Sequence, residues 1–210
     1  MKLTMINGSP KHKDSASGAI LSMLREDLGQ EVTEYSWNKM QAEESQIQEV
    51  VESDAIVIAF PLYIDSIPSH LLRCLIQVEE YTKLHHSQKE TSVYVIVNNG
   101  FFQGKQNIPA IEVMEHWARR CGFLFGQAIG IGGGGMITSI KSIPAGHGPK
   151  KNITLALNEL GRNIMERKSG SIRVIEPNYP ALAYKWQAEH GWRMLAKKNG
   201  LKRRDLGRQW

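Results

Sequence analysis

The sequence predicts a doubly wound three-layer α/β sandwich on a five-stranded parallel sheet, with one helix appended at the carboxyl end. Three observations carry this reading. Short apolar runs rich in Val, Ile and aromatics alternate with longer segments of helical period, the mark of a parallel sheet covered by helices. Two of the runs, Ile56-Val57-Ile58-Ala59-Phe60 and Val93-Tyr94-Val95-Ile96-Val97, are almost continuously apolar, as strands buried on both faces must be. Beyond Pro177 the strand signal stops, and three of the five tryptophans appear.

Each element follows from its residues. The strand-like runs span 2–6, 32–35, 55–60, 92–97 and 124–131 and are mostly bounded by Gly, Pro, Asn or Asp, which punctuate strands. Helical segments fill 17–28, 43–52, 68–84, 107–121 and 150–167. The fourth sets Ile108, Ile111, Met114, Glu115 and Ala118 at helical spacing, with Pro109 in its first turn and Gly122 as its stop, the positions a helix tolerates. In the carboxyl segment Tyr184, Ala188, Trp192 and Leu195 follow at spacings of four, four and three. That is one helix face, ending near Asn199-Gly200. The chain therefore divides into a body, 1–176, and a basic helical extension, 177–210.

Composition excludes several classes. With 41% hydrophobic and 22% charged residues over 210 positions, the chain is neither wholesale disordered nor too small for a sizeable core. Two cysteines, Cys74 and Cys121, are too few for a disulfide scaffold, or for an iron–sulfur cluster or zinc ribbon held by four cysteines; both read as small buried apolar residues. The opening apolar run is too short for a signal segment, and no apolar stretch reaches the roughly 18 residues of a membrane span. A cytoplasmic protein in a reduced compartment is expected. The net charge is +5, but its distribution is uneven. Residues 185–210 hold eight Lys or Arg against Glu189 and Asp205, a net of +6, leaving 18 basic against 19 acidic groups elsewhere. The expectation is that the extension packs its aromatic face on the body or on a second subunit, with no nucleic-acid and no membrane partner.

In an open parallel sheet the ligand crevice lies beyond the carboxyl ends of the strands, so the loops there hold the chemistry. The first, Asn7-Gly8-Ser9-Pro10-Lys11-His12-Lys13-Asp14-Ser15-Ala16-Ser17-Gly18, leads into a helix. Hydroxyls beside free helix amides and the positive dipole end suit a phosphate; a serine N-cap alone would read the same way. Gly8 is not followed by the Gly-Lys-Ser/Thr of a Walker A motif, which disfavours a nucleoside-triphosphate machine. After the third strand comes Pro61-Leu62-Tyr63-Ile64-Asp65-Ser66-Ile67-Pro68, an apolar loop held by two prolines that suits a flat hydrophobic ligand. The fourth strand ends in Asn98-Asn99-Gly100-Phe101-Phe102-Gln103-Gly104, where backbone can approach a ring closely. Gly130, Gly132 and Gly135 satisfy G-x-G-x-x-G formally. They follow the fifth strand rather than the first and lack the acidic residue of a dinucleotide fingerprint. The glycines read instead as a flexible loop or a backbone wall beside the ligand.

Taken together, Ile-Asn-Gly-Ser-Pro-Lys with Ser-Ala-Ser, Pro-Leu-Tyr-Ile-Asp-Ser-Ile-Pro, Asn-Asn-Gly-Phe-Phe-Gln-Gly-Lys-Gln-Asn and Gly-Ile-Gly-Gly-Gly-Gly-Met resemble the NAD(P)H-dependent FMN reductase family of flavodoxin-like flavoproteins, over roughly residues 1–170. The resemblance implies FMN, its phosphate at Ser9, Lys11, Ser15, Ala16 and Ser17. It places the ring between Pro61, Leu62, Tyr63 and Ile64 on one side and Asn99, Gly100 and Phe101 on the other. It also implies NAD(P)H as co-substrate, a small-molecule acceptor such as a flavin, quinone, nitro- or azo-compound, and a homodimer.

In such an enzyme the cofactor makes and breaks the bonds, so no catalytic nucleophile or base is required. None is evident: the chain shows no Ser-His-Asp order and no H-E-x-x-H helix. His85 and His86 read as solvated rather than as metal ligands. His147 reads as a loop residue, and Asp65 as part of the turn before Pro68. Two other readings stand: an FMN-binding electron carrier serving a protein partner, and a binder of nucleic acid or a membrane surface through the basic extension.

Overall fold

The computed structural model describes residues 1–85, 89–202 and 205. Its elements run β1 (Leu3–Asn7), α1 (Ala16–Leu28), β2 (Thr33–Ser36), α2 (Glu44–Val51), β3 (Ala55–Pro61), α3 (Ser69–His85), β4 (Ser92–Asn98), α4 (Ile108–Arg120), β5 (Leu124–Ile131), α5 (Gly134–Ile137), α6 (Lys151–Glu166), β6 (Arg173–Ile175) and α7 (Ala181–Lys198). The sheet order is β2-β1-β3-β4-β5-β6, and each pairing is parallel.

The continuous apolar character of β3 has a direct cause. Ile56, Ile58 and Phe60 point into a core shared with α2, α3 and α4, whereas Ala55, Val57 and Ala59 point into a second core under α1 and α6. Successive side chains leave opposite faces of a strand, so a strand covered on both sides needs apolar residues at every position. Ile47, Leu71, Leu75, Met114 and Trp117 fill the first core; Ile20, Leu24, Leu157 and Ile164 fill the second.

The sheet has six strands, not the five expected. Arg173–Ile175 pairs with Ile129–Ile131 at the edge of the sheet. It is three residues long and only partly buried, too short to show a strand pattern by periodicity. The glycine segment also gains a short helix, Gly134–Ile137.

The chain forms two compact units, Met1–Asn178 and Tyr179–Trp210. In the second, α7 forms as expected and ends at Lys198 with Asn199 as its cap. Tyr184 is half-buried, while Ala188, Trp192 and Leu195 are exposed. Trp186 stacks on His190, and Arg193 pairs with Glu189 at 3.2 Å. No helix among the described residues is long and apolar enough to cross a membrane.

Candidate functional site at the carboxyl end of the sheet

β1 delivers the first loop onto the start of α1. The Gly8 amide donates to the Ala59 carbonyl at 2.8 Å, and a Cβ at Gly8 would lie 2.5 Å from Leu71 Cδ2. The loop is therefore seated between β3 and α3 before it turns. Asn7 organises the turn: its Oδ1 accepts from the Ser9 amide at 3.1 Å, and its Nδ2 donates to Ser15 Oγ at 3.3 Å. Ser9 Oγ then accepts from the Lys11 amide. Ser15, with extended backbone, caps α1 by accepting from the Gly18 amide. The amides of Ala16 and Ser17 then have no acceptor within the helix, which is the usual state of a first turn.

Ser9, Ser15 and Ser17 are all buried, and Lys11 is exposed. Ser17 has a second task. Its Oγ accepts from Asn98 Nδ2 at 2.8 Å, and the same amide donates to the Phe60 carbonyl. That ties α1 to the ends of β3 and β4. Asp14 takes a left-handed φ of 51° and pairs with Lys141 at 2.8 Å, which holds its carboxyl below the usual range.

The loop after β3 is a tight turn. Tyr63 and Ser66 exchange both backbone hydrogen bonds, at 3.0 and 3.1 Å, and the residues between them, Ile64 and Asp65, have φ of 49° and 56°. Two left-handed residues in succession are what a type I′ turn requires, and Asn-Gly is its usual occupant. A β-branched residue there is strained. Ile64 is 99% exposed, Tyr63 47% and, on the neighbouring loop, Phe101 59%. Three apolar side chains thus stand in solvent at one end of the sheet, joined through the Leu62 amide and the Asn98 carbonyl at 2.7 Å.

Asn99 follows β4 and is 3% exposed. Its amide donates to the Ile131 carbonyl and its Nδ2 to the Gln103 carbonyl. Its Oδ1 is buried with no hydrogen-bond partner among the described residues.

The glycine segment is neither a flexible loop nor an open wall. Gly132, Gly133 and Gly134 are buried, and the Gly133 and Gly134 amides donate to the Phe101 and Asn99 carbonyls at 2.5 and 2.6 Å. A Cβ on Gly132 would lie 2.0 Å from the Phe102 carbonyl oxygen, and one on Gly134 2.7 Å from the Asn99 oxygen. These glycines let the loops after β4 and β5 interlock.

Other residues singled out in the sequence fall into place around this frame. His85 stacks on Tyr81 at an exposed helix end, and His86 lies outside the described residues. His147 is exposed, with Nδ1 near the Ala145 carbonyl. Among the described residues no group of His, Cys, Asp and Glu is placed to hold a metal. Burial pushes the Cys74 thiol up to about 11 and the Cys121 thiol up to about 12, so neither is poised as a thiolate. Sequence reasoning missed His70, whose Nε2 lies 3.1 Å from the Gly8 carbonyl, as well as Lys141 and Lys150. Only the topology, by folding distant segments together, reveals them.

The geometry defines a class: a flavodoxin-like α/β protein with its loops gathered at the carboxyl end of a parallel sheet. Comparison with solved structures agrees. A flavodoxin, WrbA-like protein from Agrobacterium tumefaciens superposes with a TM-score of 0.55 at 10% identity, covering 80% of this chain and 100% of that one. An NADPH-quinone reductase from P. pentosaceus gives 0.54 at 14% identity, with 78% and 99% covered. A flavone reductase gives 0.61 at 11% identity, with 81% and 66% covered. Likeness at these identities establishes the fold. By sequence, the chain matches no protein family model and no curated protein.

Proposed function

We propose that the chain is an FMN-dependent oxidoreductase that accepts hydride from NAD(P)H and reduces a small acceptor such as a flavin or quinone. The observation that carries this reading is the buried, unpartnered Asn99 Oδ1 on a loop beside exposed Tyr63, Ile64 and Phe101. A buried acceptor without a donor costs about 1–3 kcal/mol; a flat ligand with an apolar face covers the exposed side chains, and a polar N–H on its edge satisfies Asn99 Oδ1 once that amide turns toward it. An isoalloxazine ring is such a ligand. The names borne by the solved neighbours, NADPH-quinone reductase and flavone reductase, support the same reading.

In this proposal Ser9, Lys11, Ser15, Ala16 and Ser17 hold the phosphate through hydroxyls and first-turn amides, helped by the helix dipole. Pro61, Leu62, Tyr63 and Ile64 cover one side of the ring; Asn99, Gly100 and Phe101 fix the other. FMN supplies the hydride-accepting and electron-passing chemistry. The protein orients the ring, excludes water with Tyr63 and Phe101, and offers backbone amides to negative charge. Residues 1–176 form the flavin-binding body in this reading, and 177–210 a basic extension.

The test begins with FMN titration of the purified chain, followed by rapid mixing of the loaded protein with NADPH or NADH. Flavin bleaching by at least one nucleotide is expected. Bleaching by neither would return the protein to the electron-carrier class, and no FMN binding would remove the proposal. Replacing both Ser15 and Ser17 by Ala weakens FMN by about 1–3 kcal/mol and riboflavin less, because the lost hydroxyls act on the phosphate. Equal weakening of the two flavins would place the phosphate elsewhere.

A further inference from the structure

Beside the Ser15 cap lies a cavity of about 510 Å³ whose lining includes Lys13, Asp14, Ser15, Lys141 and Lys150. Lys150 comes from the short turn before α6 and is only 8% exposed. Its Nζ donates to the Lys141 carbonyl at 2.9 Å. Among the described residues that carbonyl is its one hydrogen-bond acceptor, and no carboxylate lies within ion-pair distance of it. An ammonium has three N–H donors, so two remain for a ligand. Lys150 also lines the cavity, so an anion seated there would meet a cation held by its own buried stem and fixed by the Lys141 carbonyl, the arrangement that makes a charge-assisted hydrogen bond specific.

The other charges in the cavity do not supply that anion. Asp14 is already paired with Lys141, and Glu34 with Arg25 at 2.9 Å. Glu26 also lines the space, but it has no ion pair with Lys150. Lys13 is exposed and adds a second cation to the same lining.

We infer that this cavity binds a phosphomonoester, with Lys150 as its buried cationic ligand and Lys13 as a second, exposed one. The inference rests on the reading of the first loop as a phosphate site and names cations that this reading did not include. The ligand chemistry has two sources: the phosphate of FMN, and the 2′-phosphate that distinguishes NADPH from NADH. A lysine in either role is a binding residue, since a buried charge-assisted hydrogen bond is strong and specific for the charged group.

The experiment is calorimetric titration of the full chain, wild type and Lys150→Met, with two probe pairs: FMN against riboflavin, and 2′-AMP against adenosine. Lys150→Met is expected to weaken one phosphate-bearing probe by about tenfold or more while its phosphate-free partner changes by less than about twofold. Loss confined to FMN assigns the FMN phosphate; loss confined to 2′-AMP assigns the nucleotide. Lys150→Arg restores most of the affinity, and Lys13→Gln, at an exposed position that does not threaten folding, gives the same selectivity with a smaller loss. Equal losses within each pair, or no loss in either, overturn the inference. A wild type that binds 2′-AMP but no flavin sinks the functional proposal and leaves the anion site standing. Binding none of the four probes overturns both.

Discussion

The two ends of the sheet treat their polar groups in opposite ways. At the amino end, Gln127 is fully buried, accepts from Asn163 Nδ2 at 2.8 Å and donates to the Ser171 carbonyl at 3.0 Å. The buried Tyr94 hydroxyl lies within hydrogen-bond distance of the Asn163 and Lys168 carbonyls. Thr91 Oγ1 donates to the Ser53 carbonyl, and Asp54 accepts from the Lys2 amide. At the carboxyl end the account does not close. Of the four buried side-chain atoms without a partner among the described residues, Asn99 Oδ1, Gln106 Oε1 and Asn107 Oδ1 belong to the segment after β4, and only Gln30 Nε2 lies at the other end. Strain at Ile64 and the under-partnered Lys150 stand at the same end. A framework satisfies its own groups; a binding site keeps some unsatisfied for what it binds.

Four substitutions or titrations test that contrast, from the largest expected effect downward. Gly132→Ala forces a methyl against the Phe102 carbonyl and the interlocked loops must part. A stability loss of about 3 kcal/mol is expected in urea denaturation, together with loss of flavin binding. An unchanged midpoint would show that the interlock yields easily. Gln127→Leu leaves Asn163 and the Ser171 carbonyl unpaired at the amino end and is expected to lower stability by about 2 kcal/mol, with FMN affinity unaltered. A matching fall in affinity would break the division between frame and site.

The third test is acid. Glu79 of α3 accepts from Arg120 and Lys83. The Arg120 guanidinium, aided by Lys83, brings its carboxyl down to about 2. A group whose folded value is lowered stabilises the protein above its ordinary value and loses that stabilisation as pH falls toward the folded one. Wild type should therefore weaken between about pH 4.5 and 2, and Glu79→Gln should flatten the profile there. Identical acid profiles would mean that other carboxylates govern. The smallest effect is the most pointed. Ile64→Asn puts a residue that tolerates left-handed backbone into the strained turn, so the unliganded protein should gain about 1 kcal/mol by thermal denaturation while flavin binding weakens. A gain in both would deny Ile64 any role at the site.

Most of the fold could be read from the residues because burial on both sheet faces writes itself into composition. Val93 to Val97 are apolar for that reason, and the five expected strands all form, although β2, Thr33–Ser36, is neither continuously apolar nor buried. β6 was not, since Arg173-Val174-Ile175 is an edge segment whose pairing, rather than its pattern, makes it a strand. The three loops of the candidate site were legible from their Gly, Pro, Ser and aromatic content. Their internal logic was not. Nothing in a β-branched Ile64 announces a left-handed backbone, since propensity argues against it. The glycines at 132 and 134 were visible, but the carbonyls that require them lie on a loop some thirty positions earlier. Lys150 carries no local signal at all, and its burial comes only from the fold.

Gly104 carries a consequence for the order in which the molecule is made. A Cβ there would sit 2.6 Å from both the Gly130 and the Ile175 carbonyl oxygens, so the loop after β4 is clasped between β5 and β6. Ribosomes deliver the chain from its amino end, at roughly 5–20 residues per second. The loop bearing Asn99 and Phe101 emerges early and lacks one side of its clasp until Ile175 has been synthesised. For those seconds the loop after β4 stands without one side of its clasp, and the carboxyl end of the sheet is among the last parts that translation completes.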